Sequence, residues 1–336
     1  MAKMEIYSSF DEKMQVFDQV NITNKDQLDQ IISEYKKEQS KYGLVFRGCT
    51  EAKYKLYNSA QRKWLNIEIQ NLGSTYYDFI TLEIQNARNW QNRLLEKFFS
   101  AFGQPAFDLS ILSFLQHYGA PTPLLDWTYS FENSLFFATD GLKYADSNNS
   151  IDNFCSIYII DTRWHELMDL LKFLQNTLSQ IDDIISKYPK VDAENELNKL
   201  QQLNYFSLHQ LKLAQIPGYR RNGFAFSLRN RPSFNLIYNQ QNLNIINQKG
   251  LFIFNSSEDK PLEYFFKGQN TPVENSPYYL PKIKCLNIHK SLYEYIQYFL
   301  TDSRRRRFPI NKEFIYPQEE MIANKAFQHF LNFDFL

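Results

Sequence analysis

The chain has 336 residues, 43% of them hydrophobic and 22% charged. These proportions exclude a disordered tail and allow one large domain or two modest ones. Lys and Arg (37) balance Asp and Glu (37), which argues against a generally basic nucleic-acid binder.

Residues 22–41 read as a helix that Thr23 or Asn24 could cap, with Leu28, Ile31, Ile32 and Tyr35 at helical spacing and Gly43 beyond its end. Leu44-Val45-Phe46 is a short strand that delivers Arg47 at its end. Residues 54–62 form a turn entering a helix. Residues 78–101 read as one long helix whose buried side is Ile80, Leu82, Ile84, Trp90, Leu94, Leu95 and Phe98. A further helix over 109–115 ends at a loop rich in special residues, Gln116 to Thr128. Leu135-Phe136-Phe137-Ala138 is the buried face of the next helix, and 155–160 a strand buried on both faces. Residues 164–213 carry two leucine-rich stripes separated by Pro189, a helical hairpin serving either ordinary packing or a partner. Strands follow at 251–254 and within 279–288, then helices over 291–300 and 319–331. No regular βαβ repeat appears. The expected fold is α+β, a mixed or antiparallel sheet core with flanking helices, in one domain over 1–336 with a helical insertion at about 164–213.

Several residue sets carry chemistry. In Gln116 to Thr128, Gly119, Pro121 and Pro123 fix the backbone path between polar side chains. His117 is a candidate general base; the alternative is a helix cap or a hydrogen bond to Asp126. Asp126 could orient that imidazole, as a second catalytic candidate. Tyr118 is evenly balanced between stacking surface and core, whereas Trp127 reads as core. Arg47 presents fixed donors for a phosphate or carboxylate, and Gly48 permits a close ligand approach or a tight bend. The competing reading of Arg47 is an internal ion pair, with Asp126 as partner. Arg304, Arg305, Arg306 and Arg307 form the dense basic run, either a phosphate contact for nucleic acid or a solvated loop, and Arg220, Arg221, Arg229 and Arg231 form a second cluster.

Other classes are argued against. The five histidines are scattered, and there is no HExxH, CxxC, GxGxxG or Walker loop, so no metal site is expected. Cys49, Cys155 and Cys285 have no metal or redox spacing and read as small buried apolar residues of a reduced, cytoplasmic protein. No apolar run approaches the roughly 20 residues of a membrane span, and Met1 to Glu5 lack a signal-peptide core.

Phe46-Arg47-Gly48, together with Gln116-His117-Tyr118-Gly119, Pro121-Thr122, Leu124-Leu125-Asp126-Trp127-Thr128 and Phe137-Ala138, resembles the FRG domain, a bacterial family named for its Phe-Arg-Gly tripeptide. Gln248, Gly250 and Phe252 resemble a third element of that family, and Tyr316-Pro317 its end. The resemblance spans about residues 40–330, least over 164–230, and names no chemistry. More distantly, the aromatic-Arg-Gly strand and the later strand, turn and Phe-Ala helix resemble ADP-ribosyltransferases of the Arg-Ser-Glu kind. That resemblance implies a nucleotide or NAD-derived ligand, with Arg47 on a phosphate and Asp126, Thr128 and Gln248 lining the pocket. Two departures bear on catalysis. Asp126 stands in the place of the first Ser, and Gln248-Lys249-Gly250 lacks the family's Glu. Glu319-Glu320 reads as the first turn of a helix. The second class of function is a non-catalytic module for nucleic acid or a protein partner, working through the basic loops and the helical insertion. Either class would suit bacterial or phage conflict.

Overall fold

Short apolar runs bounded by polar turns become strands, and one central run is apolar on both faces. The computed structural model describes residues 4–38, 44–66, 73–101, 106, 108–142, 146–161, 168–169, 226–227, 243–255, 257–266, 283–302, 304 and 308–318. The strands are β1 (Asp18–Ile22), β2 (Leu44–Cys49), β3 (Leu124–Thr128), β4 (Phe154–Asp161), β5 (Met168–Asp169), β6 (Phe226–Ser227), β7 (Gly250–Phe254) and β8 (Lys284–His289). They lie in the order β1-β8-β4-β2-β3-β7-β6-β5. Six strands carry the sheet, and the two-residue β6 and β5 extend one edge. β1 runs parallel to β8 and β5 to β6, while the remaining pairings are antiparallel. The sheet is therefore mixed, and the fold is α+β.

The helices are α1 (Phe10–Met14), α2 (Lys25–Glu38), α3 (Ser59–Asn66), α4 (Tyr76–Asn89), α5 (Leu94–Ala101), α6 (Asp108–His117), α7 (Phe131–Thr139), α8 (Leu243–Asn247), α9 (Tyr293–Thr301) and α10 (Lys312–Ile315). On one face of the sheet, α2, α7 and α9 bury Phe46, Phe131, Leu135, Ile157, Leu286 and Phe299. The other face buries Val45, Leu125, Trp127, Tyr158, Ile253 and Cys285. Trp127 is core, as its composition suggested. A third cluster joins α3 to α6 with Leu124 and Phe252. Lys13 is fully buried without an acidic partner among the described residues. Its ammonium donates to Ala52 O (2.8 Å), Ser156 Oγ (2.8 Å) and Asn287 Oδ1 (2.9 Å), which fastens α1 to β4 and β8.

Several sequence expectations are corrected. The helix expected over 22–41 is shorter, because Ile22 ends β1 and Asn24 accepts from the Gln27 amide at the helix start. β1 was hidden by its polar composition, since as an edge strand it buries only Ile22 fully. The helix expected over 78–101 is two, α4 and α5. Gln91, Asn92 and Arg93 all adopt positive φ, which no right-handed helix accommodates. Of the side expected to be buried, Leu82, Trp90, Leu94 and Phe98 are exposed, while Ile80, Ile84 and Leu95 are buried. Met168 and Asp169 are extended where a helical stripe was expected; the rest of the expected hairpin lies outside the described residues, as does the terminal helix over 319–331. Cys155 and Cys285 are buried, but Cys49 is only half-buried.

Candidate functional site

The FRG tripeptide lies where the sheet opens. β2 and β3 share a single register pair, Phe46 with Thr128. On its other edge β2 continues to pair with β4, through Arg47–Tyr158, Gly48–Ile157 and Cys49–Ser156. Arg47 therefore faces an unpaired gap on the β3 side. Its guanidinium reaches across and donates through Nη1 to the backbone carbonyl of Asp126. The Asp126 carboxylate stands 4.0 Å from the same nitrogen, with side-chain exposures of 20% for Arg47 and 49% for Asp126. A neutral carbonyl is thus the close partner, and the carboxylate is left reachable from solvent. Both readings of Arg47 find part of their geometry here.

Gln116 organises the far wall. Its Nε2 donates to Asp126 Oδ2 at 2.8 Å, and its Oε1 accepts from Thr122 Oγ1. Ser59 Oγ lies 3.4 Å from that same Oε1 and accepts from the Thr122 amide at 2.9 Å. α6 can stop here because Gly119 takes φ +81° and the Ala120 amide closes onto Leu115 O. Tyr118 points outward, 72% exposed, with its ring 4.6 Å from that of Phe114.

His117 presses its ring against Phe252. Its Nε2 is buried and has no hydrogen-bond partner among the described residues. Burial pushes the imidazole pKa down, and the Asp126 charge offsets part of that. His117 is accordingly neutral at pH 7, the form a general base requires.

The structure separates the remaining expected site residues from this opening. Gly48 lies beneath α7: a Cβ there would fall 2.2 Å from Ser134 O and 2.4 Å from Ala138 N. The close approach that its lack of a side chain permits is that of a helix. Thr128 is buried, donates to Gln248 O at 2.6 Å and accepts from the Ser130 amide at 2.9 Å. The Gln248 side chain donates to Ile315 O at 3.2 Å. Arg304 is on the surface, paired with Asp302 at 3.1 Å and bonded to the Tyr298 hydroxyl. Arg305, Arg306 and Arg307 lie outside the described residues, as do Arg220, Arg221, Arg229, Arg231, Glu319 and Glu320.

Three neighbours were not among the expected site residues. Arg62 on α3 donates through Nη1 to Tyr57 O at 2.6 Å. Burial and then the nearby Arg47 charge lower its pKa, with Cys49 and Asp126 acting the other way. Tyr316 packs against Phe136 and Phe137, and its hydroxyl donates to Asp140. Burial, then Asp140 and Asp126, push the Tyr316 pKa up to about 12. Tyr316 carried a sequence signal in the Tyr-Pro pair. Arg62 and Asp140 carried none, because only the fold brings α3 and the end of α7 to Asp126.

Residues 42–147 match the family model of the FRG domain. The chain contains an FRG domain. The matched stretch runs from β2 through α7 and contains Arg47, Arg62, Gln116, His117, Asp126 and Asp140. It stops short of Gln248, Gly250, Phe252 and Tyr316, which the motif reading had included. No curated protein and no solved structure matches the chain. Among the described residues, no group of three His, Cys, Asp or Glu could hold a metal ion, and no helix is long and apolar enough to cross a membrane.

Proposed function

We propose that the opening between β2 and β3 of the FRG domain binds a phosphate-bearing nucleotide of NAD type, with Arg47 on a phosphate. The observation that carries this reading is the placement of Arg47. A guanidinium spans an unpaired gap in the sheet, and its close acceptor is a neutral carbonyl rather than a carboxylate. Such a fork retains donors for a charged ligand. The distant ADP-ribosyltransferase resemblance supplies the ligand class and rests on the sequence motifs alone.

The same opening supports a catalytic role for His117 and Asp126. Transfer of an ADP-ribosyl group from NAD breaks the bond from the ribose to nicotinamide, which leaves with the bonding electrons as a neutral base, and a nearby carboxylate stabilises the positive charge that builds on the ribose. Asp126 is the carboxylate at hand, oriented by Gln116. His117, kept neutral by burial, is the group that can accept the proton of an incoming nucleophile. Thr128 and Gln248 support this reading from behind: their bond holds β3 to the start of β7 and fixes where Asp126 stands.

A thermal-shift titration with NAD and ADP-ribose, wild type beside Arg47→Ala, tests the proposal. A ligand at 100 times its dissociation constant adds about 2.7 kcal/mol of stability. The expected result is a shift in wild type that Arg47→Ala removes. No shift in wild type at millimolar ligand sinks the nucleotide reading and turns attention to the nucleic-acid or protein-binding module.

A further inference from the structure

Arg47 and Asp126 carry opposite charges, yet the guanidinium and the carboxylate stand 4.0 Å apart, farther than in a closed pair. A different bond holds each of them back. The Arg47 guanidinium is fixed on the Asp126 carbonyl, and Asp126 Oδ2 is taken by Gln116 Nε2 at 2.8 Å. Among the described residues, Gln116 is the one hydrogen-bond donor to that carboxylate. Its amide can face only one way. A carboxylate oxygen accepts and does not donate, so the NH2 end meets Asp126 and the oxygen end points to Thr122. Thr122 makes that orientation rigid. It is fully buried, and Pro121 and Pro123 restrict the backbone on either side of it. Its amide donates to Ser59 Oγ at 2.9 Å, and its carbonyl accepts from the Ala60 amide at 3.0 Å, which ties it to α3. Its hydroxyl accepts from the Leu124 amide at 3.2 Å, so the hydroxyl proton is left for Gln116 Oε1. Gln116 is thus anchored at one end of its amide and holds Asp126 with the other. The carboxylate gives up this donor if it swings to Arg47.

We propose that Gln116 is a positioning residue that holds the Asp126 carboxylate off Arg47 and so keeps the guanidinium open to an anionic ligand. This inference rests on the phosphate reading of the same opening and deepens it. A closed pair with Asp126 would neutralise Arg47 and occupy donors of its fork, leaving an internal ion pair in place of a binding site. Gln116 prevents that closure without adding a charge of its own. The carboxylate stays ionised and oriented, and the guanidinium keeps its charge for the ligand.

The test is modification of the full chain by phenylglyoxal, with the rate at Arg47 read by peptide mass spectrometry and the exposed Arg93 as internal control. Phenylglyoxal attacks the neutral guanidine, so an ion pair with a carboxylate slows it. Wild type is compared with Gln116→Met, Asp126→Asn and the double variant Gln116→Met/Asp126→Asn, with melting temperatures recorded. Gln116→Met is expected to slow modification at Arg47 by roughly threefold, the scale of a part-exposed ion pair. The double variant is expected to restore the wild-type rate or exceed it, because an amide cannot form the ion pair. An unchanged or faster rate in Gln116→Met overturns the inference, since a merely structural loss loosens the site and uncovers Arg47. So does a slow rate that persists in the double variant. If Gln116→Met does not fold, Gln116→Asn, whose amide is too short to reach Asp126, decides by the same outcomes. The reaction is then repeated with ADP-ribose. A Gln116 effect that Asp126→Asn removes, with no protection of wild-type Arg47 by ADP-ribose, leaves this inference standing and sinks the nucleotide reading. Protection by ADP-ribose with no effect of Gln116→Met does the reverse.

Discussion

At the scale of single residues, the FRG tripeptide divides its labour. Phe46 enters the core, Arg47 crosses the gap to β3, and Gly48 lets α7 sit directly on β2. The glycine has an ordinary negative φ, so its requirement is space and not backbone freedom. Its neighbours at 2.2 and 2.4 Å are backbone atoms of a packed helix, which cannot give way cheaply. Gly48→Ala should therefore destabilise the protein by roughly 3 kcal/mol or more, read from urea unfolding. A loss below about 1 kcal/mol would mean that α7 can shift away from the sheet.

At the scale of elements, β3 is held on each side by different means. Its register with β7 is complete over Leu124–Thr128, while its contact with β2 is the single pair at Phe46. Thr128 compensates at that end: its hydroxyl ties β3 to the turn before β7 and caps the entry to α7 through the Ser130 amide. Replacing the hydroxyl with a methyl leaves a buried carbonyl and a buried amide without their partner. Thr128→Val should cost about 2 kcal/mol, whereas Thr128→Ser, which keeps the oxygen, should cost less. Equal losses for the two variants, measured by chemical denaturation, would show that packing of the methyl matters more than the hydrogen bonds. The α4–α5 break is the other element-scale lesson. Hydrophobic spacing continued through residues 90–93, so periodicity alone could not reveal three successive left-handed residues.

At the scale of the whole molecule, stability should respond to pH through groups that burial perturbs in opposite senses. Glu83 on α4 has a buried Oε2 without a partner among the described residues, and burial pushes its pKa from 4.5 up to about 7. Glu263, buried beside the Tyr7 hydroxyl and the Leu56 amide, is raised as well, again by burial. A carboxyl raised in the fold favours the folded state when protonated, so its contribution is present below pH 4.5 and is lost as pH rises towards 7. His117 acts in the opposite sense. Its lowered pKa opposes protonation in the fold, so stability is lost as pH falls below 6.5. Glu83→Gln should then be more stable than wild type at pH 8, by roughly 2 kcal/mol, and similar to it at pH 4. Denaturant titrations at both pH values check this, and an equal difference at the two would rule out titration of Glu83 as the cause.

Fold class and four of the eight strands were legible in the linear chain, as was the stretch from Gln116 to Thr128 as the place to look, although its last five residues, read as loop, are the strand β3. Apolar alternation and Gly/Pro punctuation are local properties, and they survive in a linear reading. It also marked Arg47 and Asp126, which the fold brings together across the gap between β2 and β3. That Gly48 serves a helix, and that Thr128 and Gln248 bond inward to the backbone, is legible only in three dimensions. Those outcomes depend on which segments meet across the sheet, and residues separated along the chain carry no record of that meeting in their spacing.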